Sequence, residues 1–185
     1  TDEASVANGV YASIEALGGL EGLIASAGIN GPTKPTWDYS LSDWQKVLDV
    51  DLTGVFLSVR SVLPQLRSTG YGRIIVIASV AAKDGNPGAV AYGAAKAGVV
   101  GFAKGLAREL QPSEITVNCI TPAITETDLL TGMSPEYINE KKNLIPMGRF
   151  CSVQEIADMT AWVASPRCSF TTGQLFDVTG GRAKH

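Results

Sequence analysis

The chain has 185 residues, of which 45% are hydrophobic and 18% charged, and its formal net charge is −3. That composition suits a globular protein able to bury a sizeable core, and a mildly acidic balance offers bulk electrostatics no hold on nucleic acid or an anionic membrane. No run approaches the roughly 18 consecutive apolar residues of a spanning helix, and no basic-then-apolar leader opens the sequence.

Taken in order, "TDEASVANGVYASIEALGG" reads as a helix with an Asp/Ser-type start. "LEGLIASAG" (20–28) follows as a short apolar strand ending in small residues, its strand proper at 23–26. "SDWQKVLDVDLTGVFLSVRSVLPQLR" (42–67) is expected to be one long helix, because Trp44, Val47, Leu48, Leu52, Val55, Phe56, Val59, Val62, Leu63 and Leu66 keep a helical period. Pro64 is expected to kink its last turns. "RIIVIAS" (73–79) is a continuous apolar run, the mark of a parallel strand buried on both faces. A helix is expected at about 91–110 and a strand at "ITVNCI" (115–120), closed by Thr121-Pro122. Residues 123–150 read as polar and irregular, with one short helix near 134–143. An amphipathic helix at 153–165 and a last strand at 174–178 complete the pattern.

This strand–helix alternation predicts an α/β fold, a parallel sheet joined by right-handed crossovers, with residues 1–185 forming a single domain. Only four strands are visible, and the first is apolar on both sides. A central-type strand with one open edge would be an aggregation liability, so the chain is expected to be truncated at its N-terminus.

Cys119, Cys151 and Cys168 have neither disulfide-framework nor zinc-site spacing, and they suit a reducing compartment such as the cytoplasm. The single histidine, His185, is the last residue, which leaves little room for Ser-His-Asp or Cys-His chemistry or for a histidine metal site. Catalysis would have to use Tyr, Lys, Ser and carboxylates.

Two Tyr-x-x-x-Lys pairs occur, Tyr92 with Lys96 and Tyr137 with Lys141. In open α/β sheets, ligands bind beyond the carboxyl ends of the strands. Ser79 ends strand 73–79, Tyr92 opens the next helix, and Lys96 lies one turn on along the same face. These three can converge. Tyr137 has no strand-end serine behind it and is expected on a solvated helix face. A phenol near pKa 10 is a poor proton carrier at neutral pH, and a neighbouring ammonium is expected to lower it. Tyr92 would then exchange a hydroxyl proton while Ser79 hydrogen-bonds the carbonyl oxygen. The hydride must come from a cofactor such as a nicotinamide.

Ser79, Tyr92-x-x-x-Lys96, "ASAG" (25–28), "DLTGVF" (51–56), "NCITPAITET" (118–127) and "TTGQLFDVTGG" together resemble the short-chain dehydrogenase/reductase family over nearly the whole length. The resemblance implies a Rossmann-like, doubly wound parallel sheet with about four of seven strands present, and NAD or NADP as cofactor. It implies Tyr92 as acid/base, Ser79 as substrate-orienting, and Lys96 on the nicotinamide ribose. Ala27 and Gly28, with Pro122, Ala123, Thr125 and Thr127, would line the cofactor. Small-molecule alcohols or ketones would be substrates. A homo-oligomer, tetramer or dimer, would form through helices 42–67 and 91–110.

Three departures from the family pattern stand out. "NNAG" is replaced by Ala25-Ser26-Ala27-Gly28, Pro-Gly becomes Pro122-Ala123, and the family's catalytic asparagine corresponds to Asp51. Asp51 lies on an apolar stripe with 44, 48 and 55, so its carboxylate needs a partner; the family role would be to hold a proton-relay water. The glycine-rich phosphate loop has no counterpart, so these 185 residues by themselves are expected to bind nicotinamide dinucleotides poorly. The alternative is a non-catalytic relative acting as a binding module. The substrate-facing loops 30–40, 81–91 and 123–150 favour a small polar compound; the overall look is similar to sugar-acid dehydrogenases and, next, 3-oxoacyl-carrier-protein reductases.

Overall fold

The computed structural model describes residues 1–127 and 134–183. Helix α1 (Glu3–Leu17) starts where the Asp2 side chain accepts from Ser5 N–H and stops at Gly18, whose φ of 73° is the left-handed turn that glycine takes without strain. Strand β1 (Gly22–Ala25) follows, then α2 (Leu41–Leu48), a π-helical turn (Asp49–Thr53) and α3 (Gly54–Thr69). After these come β2 (Tyr71–Ile77), the short α4 (Ala81–Asp84), α5 (Val90–Glu109) and β3 (Glu114–Pro122). The remaining elements are β4 (Thr125–Glu126), α6 (Pro135–Asn143), β5 (Cys151–Ser152), α7 (Val153–Ala164) and β6 (Leu175–Val178).

Four strands pair in the order β1-β2-β3-β6, all parallel. Alternating residues of β2 face opposite layers, as a pleated strand requires. Ile74 and Val76 pack with Val59, Val62 and Leu66 of α3 and Val99 and Ala103 of α5. Ile75 packs with Ile120 of β3 and Val163 of α7. Helices therefore cover both faces, the doubly wound, Rossmann-like α/β arrangement, and this is why the β2 segment reads as an unbroken apolar run. Strand β1 is an edge among the described residues. Its Ile24 is registered against Ile75 but is 52% exposed.

The expected helix over 42–67 runs without interruption from α2 into α3, with a π turn at 49–53 inside it that the sequence reading did not include. A π turn adds one residue to a turn while keeping the backbone bonded, so the apolar period hides it. Pro64 lies inside α3, which continues to Thr69, so the helix does not stop at the proline. The β4–β5 pair, two residues on each side, and α4 are also additional to the sequence reading. Residues 128–133, part of the stretch 123–150, and His185 lie outside the described residues. No described helix is long and apolar enough to cross a membrane.

Candidate active site

Parallel pairing puts the carboxyl ends of β1, β2, β3 and β6 on one edge, at Ala25, Ile77, Pro122 and Val178. Ser79 stands two residues beyond the end of β2 rather than within the strand. It is fixed from both sides, because Ala78 N–H donates to the Ile120 carbonyl at 2.8 Å and Val80 N–H to the Pro122 carbonyl at 2.9 Å. The Ser79 Oγ accepts from Ala81 N–H at 3.1 Å, which leaves its hydroxyl proton to be donated to a neighbouring oxygen.

Tyr92 is the third residue of α5, and Lys96 lies one turn further on. Lys96 is only 4% exposed. Its Nζ donates to the Ile77 carbonyl at 3.0 Å, lies 3.4 Å from Asp51 Oδ2 and stands 5.6 Å from the centre of the Tyr92 ring. Tyr92 stands close enough to Ser79 for the serine hydroxyl to lower its proton affinity. The three residues singled out for chemistry are thus brought together. Tyr137 and Lys141 are not part of this cluster: Tyr137 is 42% exposed and Lys141 pairs with its neighbour Glu140.

Asp51 projects from the π turn and is 0% exposed. Its Oδ1 accepts from Ile29 N–H at 2.7 Å, while Oδ2 forms an ion pair with Lys96 and accepts no hydrogen bond. The partner the sequence demanded is therefore a buried lysine and a backbone amide. Gly28 makes this approach possible: a Cβ there would sit 2.8 Å from Asp51 Oδ2 and 3.2 Å from Lys96 Nζ. The tight "ASAG" turn thus needs glycine for close contact.

Burial pushes the Tyr92 phenol above its ordinary value, the Ser79 hydrogen bond pulls it down, and the Asp51 carboxylate pushes it up again. The net direction is upward, opposite to the lowering expected from a nearby ammonium alone. Burial lowers Lys96, against which Asp51 acts through charge and hydrogen bonding. Cys119, also close to Lys96, is raised by burial to about 12 and stays a neutral thiol.

The remaining candidates lie at or beyond the carboxyl ends of β1 and β3. Ala27 and Gly28 follow β1, and Pro122 ends β3. Ala123 N–H donates to the Val178 carbonyl at 3.1 Å, and Thr125 Oγ1 donates to the Ala123 carbonyl at 3.3 Å. Thr127 is exposed and is the last described residue before 128–133. Two loops meet where Lys34 N–H donates to the Gly88 carbonyl at 2.7 Å. The contributions of the Ile29 amide and the Ile77 carbonyl were not read from sequence. Backbone groups leave no side-chain signature. A cavity of about 620 Å³ lies at the opposite edge, by the amino ends of β2 and β3. There the Arg73 guanidinium is already spent on the carbonyls of Gly72, Glu114 and Ser165, and none of the candidate site residues lines it. Among the described residues no cluster of His, Cys, Asp and Glu is arranged to hold a metal.

The family model described as enoyl-(acyl carrier protein) reductase matches residues 1–183. The chain is 44% identical over 182 residues to the 2-dehydro-3-deoxy-L-rhamnonate dehydrogenase (NAD(+)) of Sphingomonas sp. (strain SKA58), covering 98% of this chain and 73% of that relative. It is 40% identical over 163 residues to a 3-oxoacyl-(acyl-carrier-protein) reductase of Aquifex aeolicus, covering 88% of this chain and 65% of the relative. It is 38% identical to an uncharacterized short-chain type dehydrogenase/reductase of Sinorhizobium fredii, covering 100% of this chain and 74% of that protein. Matches of this extent, on a doubly wound sheet with a serine, a tyrosine and a lysine gathered at its carboxyl edge, show that the chain belongs to the short-chain dehydrogenase/reductase family of oxidoreductases.

Proposed function

We propose that this chain carries the proton-transfer and substrate half of a dehydrogenase that interconverts a secondary alcohol and a ketone with NAD or NADP. The observation that carries the proposal is the convergence of Ser79, Tyr92 and Lys96 at the carboxyl edge of the sheet. In oxidation, Tyr92 takes the hydroxyl proton of the substrate; in reduction, its phenol returns that proton to the carbonyl oxygen. Ser79 holds that oxygen by donating its hydroxyl proton to it. The nicotinamide, when bound, takes up or supplies the hydride.

The site's own residues fit such a group. A lysine ammonium has three donors; Lys96 directs one at Ile77 and one toward Asp51, which leaves a third for a ribose hydroxyl. Ala27, Gly28 and the segment from Pro122 through Ala123 and Thr125 to Thr127 would flank the cofactor. Asp51 would act with Lys96 in the proton path. We take residues 1–185 as a single Rossmann-like domain.

A small, polar, sugar-acid-like alcohol is the favoured substrate, supported by the 44% identity to a 2-dehydro-3-deoxy-L-rhamnonate dehydrogenase. A 3-oxoacyl thioester is the second reading, supported by the Aquifex relative. Phe56 and Phe102, stacked edge to face on α3 and α5, lie on a face that would pair two copies of the chain, and the free cysteines suit the cytoplasm.

The test is an assay of both substrate classes with both cofactors, on this chain or on a longer protein that contains it. Formation of reduced nicotinamide from a sugar-acid alcohol, lost in Tyr92→Phe, is the expected result. Undiminished turnover in Tyr92→Phe would overturn the assignment, and turnover of 3-oxoacyl thioesters alone would select the second substrate class.

A further inference from the structure

Asp51 is a carboxylate placed where it has little reason to be unless its charge is used. It is fully buried, and one oxygen is occupied by the Ile29 amide. The other lies 3.4 Å from the Lys96 ammonium and accepts no hydrogen bond. A buried charge without a counter-charge does not persist, so the two groups depend on each other. Gly28 keeps the space between them open, because any Cβ there would press on both.

We propose that Asp51 is a positioning residue whose carboxylate holds the Lys96 ammonium against the Ile77 carbonyl and offsets its charge at Tyr92. The site then works as a Tyr–Lys–Asp unit rather than as a tyrosine beside a lone cation. The inference rests on the reading of Tyr92 as the acid/base and deepens it. It also differs from a role in which residue 51 only anchors a water, since an asparagine could do that.

The surroundings contain few competing charges. From α5, Tyr92 and Lys96 face Asp51. From β3, Cys119 approaches Lys96 as a neutral thiol, with Lys104 acting on it from farther along α5. From β2 and its extension come only the Ile77 carbonyl and the Ser79 hydroxyl. The loop at 28–29 offers backbone alone, and Asp49, on the same π turn, accepts instead from Gln45. The directions at Tyr92 and Lys96 agree with this geometry, since Asp51 raises both.

The sign of the consequence follows. Removing one negative charge beside two titrating groups lowers the proton affinity of each, so both midpoints must move to lower pH. Asp51→Asn keeps the size of the side chain and an acceptor for Ile29. With tyrosine labelled at the ring carbon bearing oxygen, NMR titration follows each phenol, and Tyr92→Phe assigns the signal. The Tyr92 midpoint in Asp51→Asn should fall by roughly one pH unit, about tenfold in proton affinity, while Tyr137 stays put. An unmoved Tyr92 midpoint in a folded variant would overturn the proposal.

Should Asp51→Asn fail to fold, the unsubstituted chain still decides the matter through the nitrogen NMR signal of Lys96. A protected ammonium at neutral pH is the expected result. A neutral amine there would overturn the proposal, because it has no charge for Asp51 to offset. Neither readout requires turnover, so loss of the catalytic reading through an active Tyr92→Phe would be recognised separately.

Discussion

The two Tyr-x-x-x-Lys pairs of this chain have the same spacing, the same secondary structure and nearly the same internal geometry. The lysine nitrogen lies 5.6 Å from the ring centre in the Tyr92–Lys96 pair and 5.0 Å in the Tyr137–Lys141 pair. Helical periodicity dictates that much, since residues four apart share a face. Everything else differs. Lys96 is enclosed by the Ile77 carbonyl, Asp51 and the glycine turn, whereas Lys141 reaches sideways to Glu140 at the surface of α6. Spacing makes a pair; the strand ends on which it is mounted make it a candidate site.

The comparison can be broken most severely at the tyrosines. Tyr92→Phe should lower kcat by about 10²–10⁴-fold, the range for loss of a general acid/base, and Tyr137→Phe should leave kcat unchanged. Steady-state kinetics on the two variants would dissolve the distinction if both or neither fell.

The lysines come next. Lys96→Met strands the Asp51 carboxylate in the interior and should cost about 3–5 kcal/mol in denaturant unfolding. Lys141→Met removes only a surface cation and should stay within about 0.5 kcal/mol. Adding Asp51→Leu to Lys96→Met should recover part of the loss, because an apolar pair replaces an orphaned charge.

A smaller effect is expected at the glycines. Gly28→Ala drives a methyl against Asp51 and Lys96 and should cost about 1–3 kcal/mol. Gly101→Ala, with nothing within 4 Å of its would-be Cβ on α5, should instead stabilise the helix by about 0.5–1 kcal/mol. Equal responses of the two would mean that the turn at Gly28 is not a close contact.

The mildest test is alkaline pH. The Tyr92 phenol is raised in the fold above its ordinary value of 10.0, chiefly by burial. Its contribution to stability is therefore fully present below that value and is lost as pH rises through the higher folded value. Unfolding curves collected above pH 10 should show a falling stability that Tyr92→Phe flattens; an identical slope in the variant would remove the argument from burial.

The framework was largely legible in the sequence, and the exceptions have physical causes. The β2 run announces itself because helices cover both faces of it, and α5 because Val99, Ala103 and Leu106 keep a helical period against the sheet. The π turn between α2 and α3 was hidden, since the backbone stays helical through it. The β4–β5 pairing is two residues long on each side and too short to pattern. At the site, Ser79, Tyr92 and Lys96 were visible as side chains at a strand end and a helix start. The need of Asp51 for a partner was visible too, but not which partner. That depended on the Ile29 amide, the Ile77 carbonyl and the missing Cβ of Gly28, which only the folded backbone brings together. The direction of the Tyr92 shift was misjudged because burial, which the sequence does not display, is the largest influence on the phenol, with Asp51 adding to it.

The central claim is that Tyr92 moves the substrate proton. The most direct measurement is the pH dependence of alcohol oxidation in the unsubstituted protein and in Tyr92→Phe. The account predicts a rate that climbs with pH as the phenol ionises, and a residual rate in Tyr92→Phe that has lost this climb. The same ascending limb in Tyr92→Phe would show that another group accepts the proton, and would contradict the account.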